Sequence, residues 1–180
     1  LHAAGVTLCL YYHHGLSSRP PQSTWGLAAG AAPADPTPFY DHHCRILETL
    51  GERYGRKVAA WWFDTADALT QLGNPPWERL AQAAKAGHPG RLICHNTGIE
   101  QHRLATACQD YWSGEICRLN YLPRGELTPS GLPWYAFVSW HGDSRKPQCG
   151  VWVMDRENRP FDWPPPPTES VVRFIRRFHA

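Results

Sequence analysis

Hydrophobic and polar positions follow two rhythms along this chain. Val6 to Tyr12 (VTLCLYY) is a continuous apolar run, the pattern of a strand buried on both faces. Ahead of it, Leu1-His2-Ala3-Ala4-Gly5 reads as the last turn of a helix closed by a glycine cap, so the chain is expected to be an excerpt that begins mid-helix. A Pro/Gly/Ala-rich stretch from Gly15 to Pro36 follows. Thr37-Pro38 then supply an N-cap and a proline at the first helical position. Phe39, His43, Ile46, Leu47, Leu50 and Tyr54 recur at helical spacing until Gly55. Val58 to Phe63 (VAAWWF) is a second buried strand. Asn74-Pro75 opens a helix running through Leu80 and Ala84 to Gly87, and Arg91 to His95 (RLICH) is a third strand. A short helix is predicted over about Glu100 to Ala107.

Farther along, a short strand is predicted near Asp110–Trp112 and another over Tyr135–Trp140, with Val151–Met154 as strand or loop. Pro164 to Pro167 form a stiff polyproline step. In the last helix Val171, Phe174, Ile175 and Phe178 share one face, and Arg173, Arg176 and Arg177 take the solvated one.

Alternating buried strands and helices predict a parallel α/β architecture. A doubly wound sheet carries a ligand fingerprint such as GxGxxG after a strand, and this sequence has none. A (β/α)8 TIM-barrel fold instead gathers chemistry just past the C-terminal ends of its strands. Those positions hold His13-His14, Asp64, His95-Asn96, Glu115 and His141. The prediction is therefore a barrel, and an incomplete one, because a whole barrel takes about 250 residues and the chain has 180. It is read as one partial catalytic barrel over residues 1–180.

Composition narrows the function. A net charge of +2 leaves no electrostatic footprint for nucleic acid or an anionic membrane. No apolar run reaches the roughly 18 residues of a spanning helix, and no stretch reads as a signal peptide. Seventeen prolines predict long structured loops, and 12% aromatic residues exceed what a core of this size needs, which suits flat-faced ligands such as sugars. The six cysteines show no close CxxC spacing, and Cys9 and Cys94 are expected to act as small buried hydrophobes. No cofactor is implied. Among the ten histidines no His-x-His pair sits on one strand, so a metal-dependent barrel hydrolase is the weaker alternative. No GxSxG elbow or cysteine-protease signature is present.

Asp64 directly follows two Trp and a Phe, where an acid is costly unless it is hydrogen-bonded or useful. Glu115 closes Asp110-Tyr111-Trp112-Ser113-Gly114 at a second predicted strand end. Two carboxyls converging across one mouth can cleave a glycosidic bond, one attacking the anomeric carbon and the other protonating the leaving oxygen. An apolar wall such as Trp112 would raise the pKa of the acid partner. His13, His14, His95, Asn96 and His141 are candidate partners for sugar hydroxyls, and Trp62, Trp112, Trp134 and Trp140 are candidate sugar platforms.

The order AAGVTLCLYY, FYDHHCRILETLGERYG, WWFD and DYWSGE resembles the catalytic barrel of the α-L-fucosidases of glycoside hydrolase family 29. The resemblance covers about the third to seventh strands of that barrel. It implies a retaining glycosidase that removes fucose, with Asp64 as nucleophile, Glu115 as acid/base, a carbohydrate as partner and no cofactor. Members of that family are often secreted, periplasmic or lysosomal, and the compartment of this chain stays open. The family's early His-Trp-Gly and His-His-Asp-Gly-Phe segments have no counterpart here, since His42-His43 falls inside a predicted helix. Further departures are Thr65 in place of Gly, His13-His14 where Ser follows the two Tyr, and Tyr135 where many members carry Glu after Trp. A catalytically silent carbohydrate-binding barrel is the alternative these departures raise.

Overall fold

The computed structural model describes residues 2–15, 35–64, 66–98, 103–116, 126–138, 142–143 and 146–150, together with 169, 172, 173 and 176. The architecture is α/β with parallel strands. Strands β1 (Leu8–His13), β2 (Val58–Asp64) and β3 (Leu92–His95) form one parallel sheet in that order. Strands β4 (Trp112–Ile116) and β5 (Trp134–Val138) form a second parallel pair. Helices α1 (Thr37–Tyr54), α2 (Ala66–Gln71) and α3 (Trp77–Ala84) occupy the crossovers. A small antiparallel hairpin, β6 (Gly142–Asp143) and β7 (Lys146–Gly150), was not foreseen. The described strands do not close into a complete barrel.

Side-chain alternation splits the sheet into two faces. Leu8, Leu10 and Tyr12 of β1, Trp61 and Phe63 of β2, and Ile93 of β3 pack against Phe39, Tyr40, Cys44 and Leu47 of α1 and Leu80, Ala83 and Ala84 of α3. The Trp61 indole N–H donates to the Ala84 carbonyl (3.1 Å), which ties β2 to the end of α3. The opposite face carries Cys9, Tyr11, Ala60, Trp62 and Asp64. Strand β1 is therefore not buried on both faces. Its exposure alternates residue by residue, and Tyr11 is 58% exposed.

Between β3 and β4 a carboxylate does the work of a ladder. Asp110 N–H donates to the Ile93 carbonyl (2.8 Å), while Asp110 Oδ2 accepts from Ile93 N–H (2.9 Å). Lys85 holds the other oxygen at 2.8 Å. As a result the fourth strand starts at Trp112 rather than Asp110, and Glu115 lies inside it, not beyond its end.

Local chemistry accounts for the element ends. The N-cap position of α1 is Pro36 rather than Thr37, and Asp35 Oδ1 just ahead of it accepts the Thr37 N–H (2.9 Å). Over 103–107 no helix forms, because side chains take up the backbone donors: Gln109 Oε1 accepts from Ala105 N–H and Thr106 Oγ1 from Cys108 N–H, both at 3.1 Å. Of the last predicted helix only Glu169, Val172, Arg173 and Arg176 are described, and all four are helical. The polyproline step, Val151–Met154, Cys117, Thr65, Trp140 and His141 lie outside the described residues.

Arg91 joins the helix layer to the sheet. It is fully buried, and its guanidinium donates to five backbone carbonyls: Val58 at the start of β2, Ala84 and Ala86 at the end of α3, and Gly51 and Gly55 at the end of α1. The helix carbonyls lie at the negative ends of the helix dipoles, and Gly51 O also accepts the Gly55 N–H, so one delocalised cation serves the ends of both helices and the start of β2. Glycine permits the approach. A Cβ on Gly51 would stand 2.7 Å from the Ala86 oxygen, and one on Gly87 would stand 2.6 Å from the Gly51 oxygen.

Arg91→Lys leaves three donors for five buried carbonyls and is expected to cost about 2–4 kcal/mol. Urea unfolding should show a lower midpoint with an unchanged slope, whereas an unchanged midpoint would show that water replaces the guanidinium.

Candidate active site

Strand parity decides which residues meet. Cys9 and Tyr11 of β1, Ala60, Trp62 and Asp64 of β2, Leu92 of β3, Glu115 of β4 and Tyr135 of β5, with Tyr111, line one cavity of about 640 Å³. All five parallel strands contribute to it. At the β1 side Tyr111 closes it off: its hydroxyl donates to the Trp61 carbonyl (2.9 Å) and meets Cys9 Sγ at 3.8 Å.

Asp64 and Glu115 stand at the C-terminal end of this cavity, both half-buried. Asp64 is the last residue of β2, level with His13 of β1. The Tyr11 hydroxyl donates to Asp64 Oδ2 at 2.7 Å, and Asn96 Nδ2 donates to Asp64 Oδ1 at 3.1 Å. The Asn96 side chain also acts on Glu115, as a donor that lowers the pKa of its carboxyl. Burial pushes the Glu115 carboxyl above the usual carboxylate range, and the Asp64 charge pushes it the same way, against the Asn96 bond. The Tyr11 hydroxyl is raised as well, first by burial, then by its bond to Asp64 and by the charges of Asp64 and Glu115. These shifts favour a proton on Glu115 and on Tyr11 next to a hydrogen-bonded Asp64.

The aromatic lining differs from the sequence expectation. Trp62 does face the cavity, stacked on Tyr11 with ring centroids 5.3 Å apart, and its indole N–H donates to Ser113 Oγ (2.7 Å). Trp112 does not. An odd spacing from Glu115 turns it to the other face, fully buried, where its ring covers Gly114 so closely that a Cβ there would lie 2.5 Å from it. The raised pKa of Glu115 therefore owes nothing to a Trp112 wall. Trp134, paired with Trp112 in β5, likewise falls opposite to Tyr135, which is 54% exposed. Tyr11, Tyr111 and Tyr135 are the aromatic residues that sequence reasoning missed. Cys9 also differs from expectation: it is exposed on the cavity face, while Cys94 and Cys44 are buried.

The histidines divide by the same rule. His13 is exposed at the end of β1, its Nδ1 accepting from Gly15 N–H (2.9 Å). His14 is buried on the helix side, against Tyr12, Phe63 and His43. Its Nδ1 lies 3.2 Å from the Asp64 carbonyl, which can only accept, so Nδ1 carries the proton and supports the backbone behind the carboxylate. His95 is also on the helix side, stacked on Phe63 (5.0 Å) and edge-on to Trp77 (4.9 Å). Neither reaches the cavity. Burial lowers His14 and His95 to about 3, with neighbouring histidines adding to the effect at His14; burial and His42 lower His43 to about 4. Among the described residues no group of three His, Cys, Asp or Glu side chains is placed to hold a metal ion.

No protein-family model and no curated protein matches the sequence. Among solved structures the chain is similar to the endo-fucoidan hydrolase MfFcnA4 of glycoside hydrolase family 107, with a TM-score of 0.51 and 21% identity over 64% of this chain and 23% of that one. It is also similar to MfFcnA9 of the same family, with a TM-score of 0.48 and 20% identity over 62% and 26%. The chain thus spans about a quarter of the length of these neighbours, and the likeness to MfFcnA4 is one of fold.

The buried neutral histidines set a pH dependence. Their folded values lie below the unfolded 6.5, so the unfolded chain binds more protons on acidification. Their contribution is complete above about pH 6.5 and falls progressively toward pH 4 and then 3. Urea midpoints should drop between about pH 7 and about pH 5, and His95→Phe should make that drop shallower; an unchanged slope would contradict the assignment.

Proposed function

We propose that this chain supplies the carboxylate pair of a retaining glycoside hydrolase of (β/α)8-barrel type, acting on a fucose-bearing carbohydrate in the manner of an α-L-fucosidase. One observation carries the reading: Asp64 and Glu115, from different strands, line one cavity, where the Asp64 charge acts on the Glu115 carboxyl. The retaining course is the one the fucosidase-like segments imply; it needs roughly 5–5.5 Å between the carboxyls, whereas an inverting enzyme needs room for a water between them.

In the first step an Asp64 oxygen bonds to the anomeric carbon as the glycosidic C–O bond breaks. Glu115 gives its proton to the departing oxygen. In the second, Glu115 takes a proton from water, which attacks the anomeric carbon and returns Asp64 to its carboxylate. The raised Glu115 suits the acid role, and Asp64, oriented by a donor on each oxygen, suits attack. Trp62, Tyr11 and Tyr135 offer flat apolar faces to the sugar ring. Fucose as the sugar is supported by the fucosidase-like segments that carry both carboxyls, and by a fold shared with a hydrolase of fucoidan, a fucose polymer.

In the full-length protein, Asp64→Gly and Glu115→Ala are each expected to lower aryl-fucoside hydrolysis by at least about a hundredfold. Azide should restore turnover in both and yield fucosyl azides of opposite anomeric configuration. Full activity in either variant removes that assignment. Fucoside binding without turnover by the unaltered protein would favour the silent carbohydrate-binding barrel.

A further inference from the structure

Strand β1 ends at His13, His14 follows it, and each of the two rings makes a bond that fixes its tautomer. His14 is buried on the helix side, with its ring hydrogen on Nδ1 toward the Asp64 carbonyl (3.2 Å). His13 is exposed and stands level with Asp64 across the β1–β2 pairing. Strand parity puts it on the face of Cys9 and Tyr11, and its ring lies tilted beside that of Tyr11, with centroids 6.4 Å apart. Gly15 N–H donates to His13 Nδ1 at 2.9 Å. A backbone N–H can only donate, so Nδ1 is the acceptor nitrogen and the ring hydrogen of His13 sits on Nε2. Gly15 reaches back because its φ is 74°, in the left-handed region that glycine enters without strain. One short turn thus steadies Asp64 from behind and presents an N–H donor in front of it.

We infer that His13 is a substrate-contacting residue, whose Nε2–H donates to the 2-hydroxyl of the sugar bound at Asp64. The inference deepens the glycosidase reading and rests on it. Neighbouring strands lie about 5 Å apart, so a residue level with Asp64 serves atoms next to the carbon that Asp64 attacks. On the sugar those atoms are the ring oxygen and the 2-hydroxyl. The ring oxygen takes up positive charge in the oxocarbenium-like transition state, and a fixed N–H donor there would oppose it. The 2-hydroxyl accepts without that penalty, and hydrogen bonds to it strengthen as the transition state forms.

This placement separates His13 from the other histidines at strand ends. His14 and His95 stand behind the sheet, packed on Phe63. The neighbouring donors are committed to Asp64 itself: Asn96 to Oδ1, the Tyr11 hydroxyl to Oδ2 and His14 to the backbone carbonyl. His13 therefore brings to the sugar a donor that is not already holding the nucleophile.

The test uses the full-length protein and two substrates, an aryl α-L-fucoside and its 2-deoxy analogue. His13→Phe keeps a ring beside Tyr11 and removes the donor. It should lower kcat/KM on the fucoside about tenfold, the weight of one such bond, and leave the 2-deoxy analogue within about twofold. His13→Gln, whose amide nitrogen takes the place of Nε2, should recover most of the loss. An equal loss on both substrates, or no loss on either, overturns the inference. Nitrogen-15 NMR of the histidine rings in the unaltered protein, assigned through His13→Gln, reads the tautomers directly. His13 should carry its hydrogen on Nε2, and its signal should shift on saturation with L-fucose but not with 2-deoxy-L-fucose. A hydrogen on Nδ1, the same response to both sugars, or a response to neither overturns it too. If the unaltered protein hydrolyses no glycoside, the glycosidase reading fails and the fucose titration still decides the role of His13.

Discussion

A strand turns successive side chains to opposite sides, and that constraint sorts structure from chemistry throughout this chain. In β2 the residues Trp61 and Phe63 enter the core against α1 and α3, while Ala60, Trp62 and Asp64 enter the cavity. The same parity gives Cys9 and Tyr11 to the cavity and Leu10 and Tyr12 to the core. Within each sheet the pairing is parallel, and Asp64 and Glu115, near the C-terminal ends of β2 and β4, line the same cavity.

The two faces differ in electrostatics as well as in packing. On the helix side, His14, His43 and His95 are held neutral by burial among aromatic rings. On the cavity side, Asp64 is held by two donors that carry no charge, the Asn96 amide and the Tyr11 hydroxyl. A nearby cation would have pulled both carboxyls toward the charged form. Neutral donors leave burial and the Asp64 charge to raise Glu115. His14 joins the two sides, since its ring N–H supports the Asp64 carbonyl from behind.

Much of the fold was legible because its signals are local. Apolar runs, Thr37-Pro38 and Gly55 located β1, β2, β3 and α1 to within a residue or two. Asp64 was legible because an acid after Trp-Trp-Phe has no cheap explanation in a core. Tyr11 was not, because a continuous apolar run looks the same whether its far side meets a core or a cavity. His14 and His95 were misplaced on the site for a related reason: strand-end position fixes height along the sheet, and only the register fixes the face. For Trp112 the clue was present in its odd spacing from Glu115. Helix α2 begins where Ala66 N–H donates to the Asn96 carbonyl, a tertiary bond that no local pattern announces.

The Arg91 guanidinium gathers the ends of α1 and α3 at the level where β2 begins, whereas Asp64 and Asn96 lie at the other end of the strands. The described residues therefore have an anchored pole at one end of the sheet and the carboxyl-bearing cavity at the other. Loops at the cavity end can diverge over evolutionary time while the framework beneath them keeps its shape.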